Sequence, residues 1–170
     1  MKWAGAMLIL FASFWIGAEQ SKRLNDRPKQ IRFIRSALQS LEAEIMYGST
    51  PLHESARKLS ERLPPPICEL FASFSELLTS TELDAKEAWK ESLARMWPKT
   101  ALAESERSIL LEFGETVGKH DRTIEQKQIL VTLNHLKRQE EEAHEKQKRY
   151  GKMIRSLSLM GGLLIVLLLF

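Results

Sequence analysis

The chain has 170 residues, one cysteine and a formal charge of +3, with 44% hydrophobic and 28% charged residues. A lone cysteine excludes an intrachain disulfide and suits a reducing compartment, and the near-balanced charge argues against a nucleic-acid reader, which needs a concentrated basic face. The averages hide a segregation: residues 3–18 (WAGAMLILFASFWIGA) and 157–170 (LSLMGGLLIVLLLF) carry no charge, while everything between is rich in Lys, Arg and Glu.

In chain order, the first element is residues 1–20, a candidate transmembrane helix. A spanning helix needs about 20 apolar residues, and this segment is short. Lys22 and Arg23 extend it by snorkelling, and Trp3 and Trp15 sit where interfacial aromatics belong. A cleaved signal peptide, with Lys2 before the apolar run and Ala18 as the small residue, is the rival reading. The basic run Lys22, Arg23, Arg27, Lys29, Arg32, Arg35 that follows resists translocation. Residues 154–170 form the second candidate span, preceded by Lys146, Lys148, Arg149, Lys152 and Arg155. Both basic flanks border the middle region, so the expected topology has both termini outside and the middle in the cytoplasm. The same cations favour anionic lipid.

Ser13 and Gly17 are spaced by four in the first span, and Ser158 and Gly162 in the second. Small residues at that spacing let helix backbones approach closely. The two spans are expected to pack as a hairpin or against a second copy; Gly and Ser being simply common in membrane helices is the plainer reading.

The middle region, residues 21–137, predicts an all-α bundle of about six helices, because apolar residues recur three or four apart and strand alternation is nearly absent. Ile31, Ile34, Leu38, Leu41 and Ile45 mark the first helix, from Pro28 to Tyr47, with Gly48 as its stop. Thr50 is expected to cap the second, with Pro51 at its first position; Leu52, Ala56, Leu59 and Leu63 form its stripe, broken by Pro64, Pro65 and Pro66. Ile67, Leu70, Phe71, Phe74, Leu77 and Leu78 make a third helix, with Cys68 as a small apolar core residue. Residues 83–97 make a fourth, with Trp89, Leu93 and Met96 inward and Pro98 as its stop. Ile109, Leu110, Phe113 and Val117 mark a fifth, ending at Gly118. The sixth starts at Asp121, its expected N-cap, with Ile124, Ile129, Leu133 and Leu136 inward. Beyond Lys137 the stripe fades into RQEEEAHEKQKR. Glu140–Glu142 read as a solvated charge run, and Glu142–Lys146 and Glu145–Arg149 as i,i+4 pairs. Residues 138–153 are therefore expected to be a polar helical stalk, running through or hinged near Gly151.

No catalytic constellation is visible. His53, His120, His135 and His144 are scattered, and no Cys or His pair has metal spacing. There is no phosphate loop and no nucleophile elbow. The sequence thus predicts no metal, no cofactor and no enzyme, and a function that consists of contact.

The block Leu38–Glu54 (LQSLEAEIMYGSTPLHE), above all Glu44 to Leu52, and the block Phe113–Asp121 (FGETVGKHD) with Gln126 and Gln128, resemble the stage III sporulation protein AB family. The resemblance covers essentially the whole chain; Phe113 and Val117 depart from the leucines of the family pattern as size-tolerant changes. That family looks like a reduced relative of the six-helix cytoplasmic domains of type II secretion and type IV pilus platform proteins. The resemblance implies a platform or scaffold subunit of a secretion-like channel between mother cell and forespore, located in the mother-cell membrane around the forespore. It also implies docking of the ATPase encoded in the same operon, contact with other channel subunits, and self-association as one assembly option. The alternative is a membrane-tethered helical adaptor or regulator outside any secretion machine. Within the motif, Gly48, Thr50 and Pro51 have a structural account as stop, cap and restart, and Asp121 as a cap. Glu42, Glu44 and Tyr47 fit the apolar face less cleanly: Glu44 is positioned to bond Tyr47 or the turn at 48–50. These residues either fix a helix–helix turn or form a partner-docking surface.

Overall fold

The computed structural model describes residues 2–47, 50–80, 83–118 and 122–169, and among these the side chains of 15, 18–44, 47, 50–80, 83–118, 123–150, 153 and 160. Six α-helices, and no strand, occur among the described residues: α1 (Lys2–Tyr47), α2 (Leu52–Arg62), α3 (Ile67–Ser80), α4 (Ala85–Met96), α5 (Glu104–Gly114) and α6 (Arg122–Leu169). A 3₁₀ turn, Trp97–Lys99, follows α4. The chain divides into two compact units, residues 29–140 and residues 1–28 with 141–170.

In the unit 29–140 the helices alternate in direction. Ser75 Oγ near the end of α3 donates to the His53 carbonyl near the start of α2 (2.7 Å). Gln126 Nε2 near the start of α6 donates to Glu42 Oε1 late in α1 (3.1 Å). Arg32 Nε, early in this stretch of α1, donates to Glu140 Oε1 (2.9 Å), and Arg35 holds the other carboxylate oxygen. Lys99 pairs with Glu69, and the Ala101 N–H donates to Gln30 Oε1 (2.8 Å). One end of this unit therefore gathers the connections after α1, α3 and α5, and the other those after α2 and α4.

Most residues of the stripes foreseen from periodicity lie in the core, while Leu52, Leu63, Leu78 and Ile109 are half-buried at its margin. Ile31, Ile34, Leu38, Leu41, Ile67, Leu70, Leu93, Met96, Leu110 and Leu136 are all buried. At its centre Trp89 of α4 is met edge-on by Phe71 and Phe74 of α3 and Phe113 of α5, with centroids 6.0, 5.2 and 5.0 Å away. Edge-to-face contact suits the opposite charges of ring edge and face. The indole N–H cannot stay unpaired in such a site and donates to the Leu110 carbonyl (2.8 Å). Helix α5 comes so close to this indole that a Cβ on Gly114 would stand 2.4 Å from Trp89 Cδ1.

Local chemistry sets the helix starts. Asp84 caps α4, its carboxylate accepting the Glu87 N–H at 2.7 Å. At α5, buried Glu106 reaches back to the Ala103 N–H (2.6 Å). Ala103 has no side-chain acceptor to return the favour, so only half of a capping box exists.

Several expectations need correction. Helix α1 does not begin at Pro28 but runs through it; a proline forfeits one backbone hydrogen bond, a loss a long helix can carry. Thr50 is not the cap of α2: Pro51 occupies that position with φ −59° and ψ 148°, and its carbonyl accepts the N–H groups of Glu54 and Ser55 (3.0 Å each). Helix α5 ends at Gly114, and residues 115–118 form turns that close on Gly118, whose φ of +77° a glycine adopts without strain. Ile124 is exposed rather than inward, and Cys68 is half-buried. At Gly151 nothing needs correcting: of the two alternatives, helix α6 takes the one that runs through it.

Glu140 is the largest departure: it is 93% removed from solvent and held by Arg32 and Arg35. The buried face of α6 runs on as Ile129, Leu133, Leu136, Glu140, so the period persists where the apolar residues stop. Burial opposes ionisation of the Glu140 carboxyl, and the two guanidinium groups more than offset it, leaving its pKa below the usual glutamate range.

In the unit formed by 1–28 and 141–170, Ser21 and Ala143 are buried and Gln147 Nε2 donates to Asn25 Oδ1 (2.9 Å). This stretch of α6 is thus packed rather than wholly solvated. Lys146 pairs with Glu142 at 3.8 Å, whereas Arg149 lies over the Tyr150 ring at 5.5 Å. Among the described residues no helix is long and apolar enough to cross a membrane. The side chains of 2–14 and 161–169, and with them Ser13, Gly17 and Gly162 as well as Ser158, lie outside the described residues.

Candidate docking surface at the loop end of the bundle

Both sequence blocks singled out above meet at the end of unit 29–140 that gathers the connections after α1, α3 and α5. Glu42 and Gln126 are bonded across α1 and α6. The Gly118 N–H donates to Glu125 Oε1 (3.0 Å). A Cβ on Gly118 would stand 2.6 Å from the Ala85 Cβ and 3.8 Å from Leu52 Cδ2, so the turn after α5 is seated on the starts of α2 and α4. Glu125 is buried, and burial pushes its carboxyl pKa up against the opposing hydrogen bond from Gly118. Lys86 and Glu115 close the turn from outside at 2.7 Å, and this contact raises the lysine pKa.

Above this locked layer stand apolar side chains in solvent. Tyr47, the last residue of α1, is 90% exposed; Ile124 at the start of α6 is 52% exposed and Leu83 before α4 is 38% exposed. Pro51 is exposed beside them in the sequence turn, and Thr50 is half-buried. Each comes from a different connection at one end, and Leu83 and Ile124 lie where sequence periodicity gave no reason to expect an outward apolar residue. A signal existed: each falls within three residues of a helix start, where a side chain has left the packed face.

Of the candidate residues, Glu42 is bonded into the layer beneath the surface and Tyr47 projects from it. Glu44 makes no hydrogen bond to Tyr47 or Thr50 and faces a separate groove between α1 and α2. Gly48 and Asp121 lie outside the described residues. The groove, of about 150 Å³, is floored by Leu41 and Leu59. Its polar wall is Ser40 and Glu44 on α1 and Ser55, Lys58 and Arg62 on α2. Among the described residues no cluster of three His, Cys, Asp or Glu could hold a metal ion.

The sequence model of the family described as stage III sporulation protein AB matches residues 2–170. The chain belongs to that family. It is 46% identical over 169 residues to stage III sporulation protein AB of Bacillus subtilis strain 168, covering 99% of each chain. A solved structure of a stage III sporulation protein AB is similar, with a TM-score of 0.70 and 46% identity, covering 73% of this chain and 98% of the solved one. The exposed Tyr47 thus projects from one end of a fold that a sporulation protein shares, and the part-buried hydrogen bonds Glu42–Gln126 and Gly118–Glu125 tie that end together in this chain.

Proposed function

We propose that the chain is a non-enzymatic platform subunit of a secretion-like channel assembled between mother cell and forespore. Its two apolar ends anchor it in the mother-cell membrane around the forespore, and the bundle faces the cytoplasm. The loop end, with Tyr47, Leu83 and Ile124, docks the ATPase of the complex. The observation that carries this reading is the exposed apolar trio of Tyr47, Leu83 and Ile124 beside a hydrogen-bonded layer. Aromatic and aliphatic anchors of this kind supply most of the energy of protein interfaces, and a pre-organised surface loses little entropy on binding. Family membership supports the sporulation role, and the uncharged ends with basic flanks support the two-pass anchor.

The test is capture of the operon's ATPase by the full chain in detergent. Wild-type protein retains it, and the double variant Tyr47→Ser, Ile124→Ser loses at least about tenfold in affinity, the scale of one buried anchor. Equal capture by the variant removes the loop end as the docking site. Capture of a different cytoplasmic protein, with no ATPase bound, supports the adaptor reading instead.

A further inference from the structure

The groove between α1 and α2 brings two cationic side chains and one buried hydroxyl to a single small space. Ser55, Lys58, Leu59 and Arg62 follow one face of α2 at helical spacing. Ser40 and Glu44 face them from successive turns of α1. Ser55 is 97% buried and its hydroxyl has no hydrogen-bond partner. A buried hydroxyl without a partner carries a desolvation penalty, so something outside the folded chain is the natural acceptor or donor for it. Arg62 has no ion-pair partner among the described residues, and Lys58 reaches only the exposed Glu54, at 3.7 Å. Such a surface pair contributes little and yields readily.

Size and charge define the occupant. Small-molecule and cofactor sites run to about 300–1,000 Å³, and this groove has about half the lower figure. It holds the volume of about five waters, enough for one side chain. Lys58 and Arg62 against Glu44 leave one positive charge, which matches a monoanion, and Glu44 opposes a phosphate dianion. Leu41 and Leu59 offer an apolar floor to a methylene stem.

We propose that this groove receives the carboxylate side chain of a glutamate or aspartate from an acidic segment of a protein partner. Lys58 and Arg62 take the carboxylate, Ser55 completes its hydrogen bonds, and Glu44 rejects more highly charged anions. The site is distinct from the loop-end surface and does not depend on the channel role.

The test is an amide-resonance titration of the full chain in micelles with the blocked peptide Ac-Ala-Ala-Glu-Ala-Ala-NH2, its Gln counterpart, glutarate and inorganic phosphate. The Glu peptide is expected to shift the Ser55, Lys58 and Arg62 amides saturably. The Gln peptide, glutarate and phosphate bind at least about tenfold more weakly, the value of one charge-assisted hydrogen bond. Arg62→Gln, at an exposed position, reduces binding by a similar factor without changing helicity. Ser55→Ala weakens the peptide and raises the unfolding midpoint together, since it removes the unpaired hydroxyl. Equal binding of the Gln peptide or of phosphate overturns the carboxylate assignment. Glutarate binding as tightly as the peptide overturns the partner segment as its source. Undiminished binding by Arg62→Gln, or a lowered midpoint in Ser55→Ala, overturns the site.

Discussion

Gly114 has no side chain because Trp89 occupies the space one would need. The Cβ of Gly114→Ala would lie 2.4 Å from the indole Cδ1, and neither the ring, wedged among three phenylalanines, nor helix α5 can withdraw cheaply. Overpacking of this kind costs about 1–3 kcal/mol, to be read as a lowered urea midpoint with unchanged helicity. Glu140 and Glu125 give opposite pH signatures. The folded pKa of Glu140 is depressed, so its contribution is complete above the unfolded value of about 4.3 and fades as pH falls through the folded one. Glu140→Gln should cost about 2 kcal/mol at pH 7 and flatten the acid limb of the stability curve. The folded pKa of Glu125 is raised, so its cost is absent in acid and grows as pH rises from about 4.3 through the folded value. Glu125→Gln keeps an acceptor for the Gly118 N–H and should gain stability over wild type progressively from pH 4 to 8. Denaturant midpoints from about pH 2 to about pH 8 check both signs, Glu140 on the acid side and Glu125 above it.

Among the elements, helix starts divide into those secured by a side chain and those secured by backbone alone. Asp84→Ala should destabilise by about 1 kcal/mol, because it removes the acceptor of the Glu87 N–H. Thr50→Ala should stay within about 0.5 kcal/mol, because Pro51 holds the cap position of α2. Urea titration of the two variants side by side makes the contrast. The same contrast explains what the sequence disclosed about the elements. Periodic stripes announced every helix of the bundle, since burial at three- and four-residue spacing leaves its mark in residue type. Boundaries moved where backbone geometry decides, as at Pro28, Pro51 and Gly114. Glu140 stayed hidden because its partners, Arg32 and Arg35, are about 105 residues away in sequence, and a charged residue on a buried face looks like the end of that face. The groove of Ser40, Glu44, Ser55, Lys58 and Arg62 was illegible for the same reason: it exists only when two helices are placed side by side. Glu42 and Gln126, by contrast, were both singled out within the motif blocks, although their bond to each other was not.

At the scale of the whole molecule, residues 29–140 form one compact unit with its own core, and a solved relative covering 73% of the chain adopts the same fold. A fragment of residues 29–140 should therefore unfold in a single transition, with circular dichroism and calorimetry coinciding; separate transitions would show that the core needs the remaining helix segments. The anionic-lipid expectation belongs to the other unit, where Lys22, Lys146, Lys148 and Arg149 are exposed.

The aromatic centre also equips the protein with an optical gauge. Trp89 is fully enclosed, donates its indole N–H to Leu110 and is ringed by three phenylalanines, whereas Trp15 is largely uncovered by the rest of the chain and Trp97 is half-covered beneath the Arg107 guanidinium. With Trp3, Trp15 and Trp97 replaced by Phe, the remaining fluorescence would come from the one indole that links α3, α4 and α5. Its emission colour then reports whether water has reached the middle of the bundle, independently of whether the helices persist. A partner that merely docks leaves that colour untouched, and one that pries the helices apart shifts it to the red.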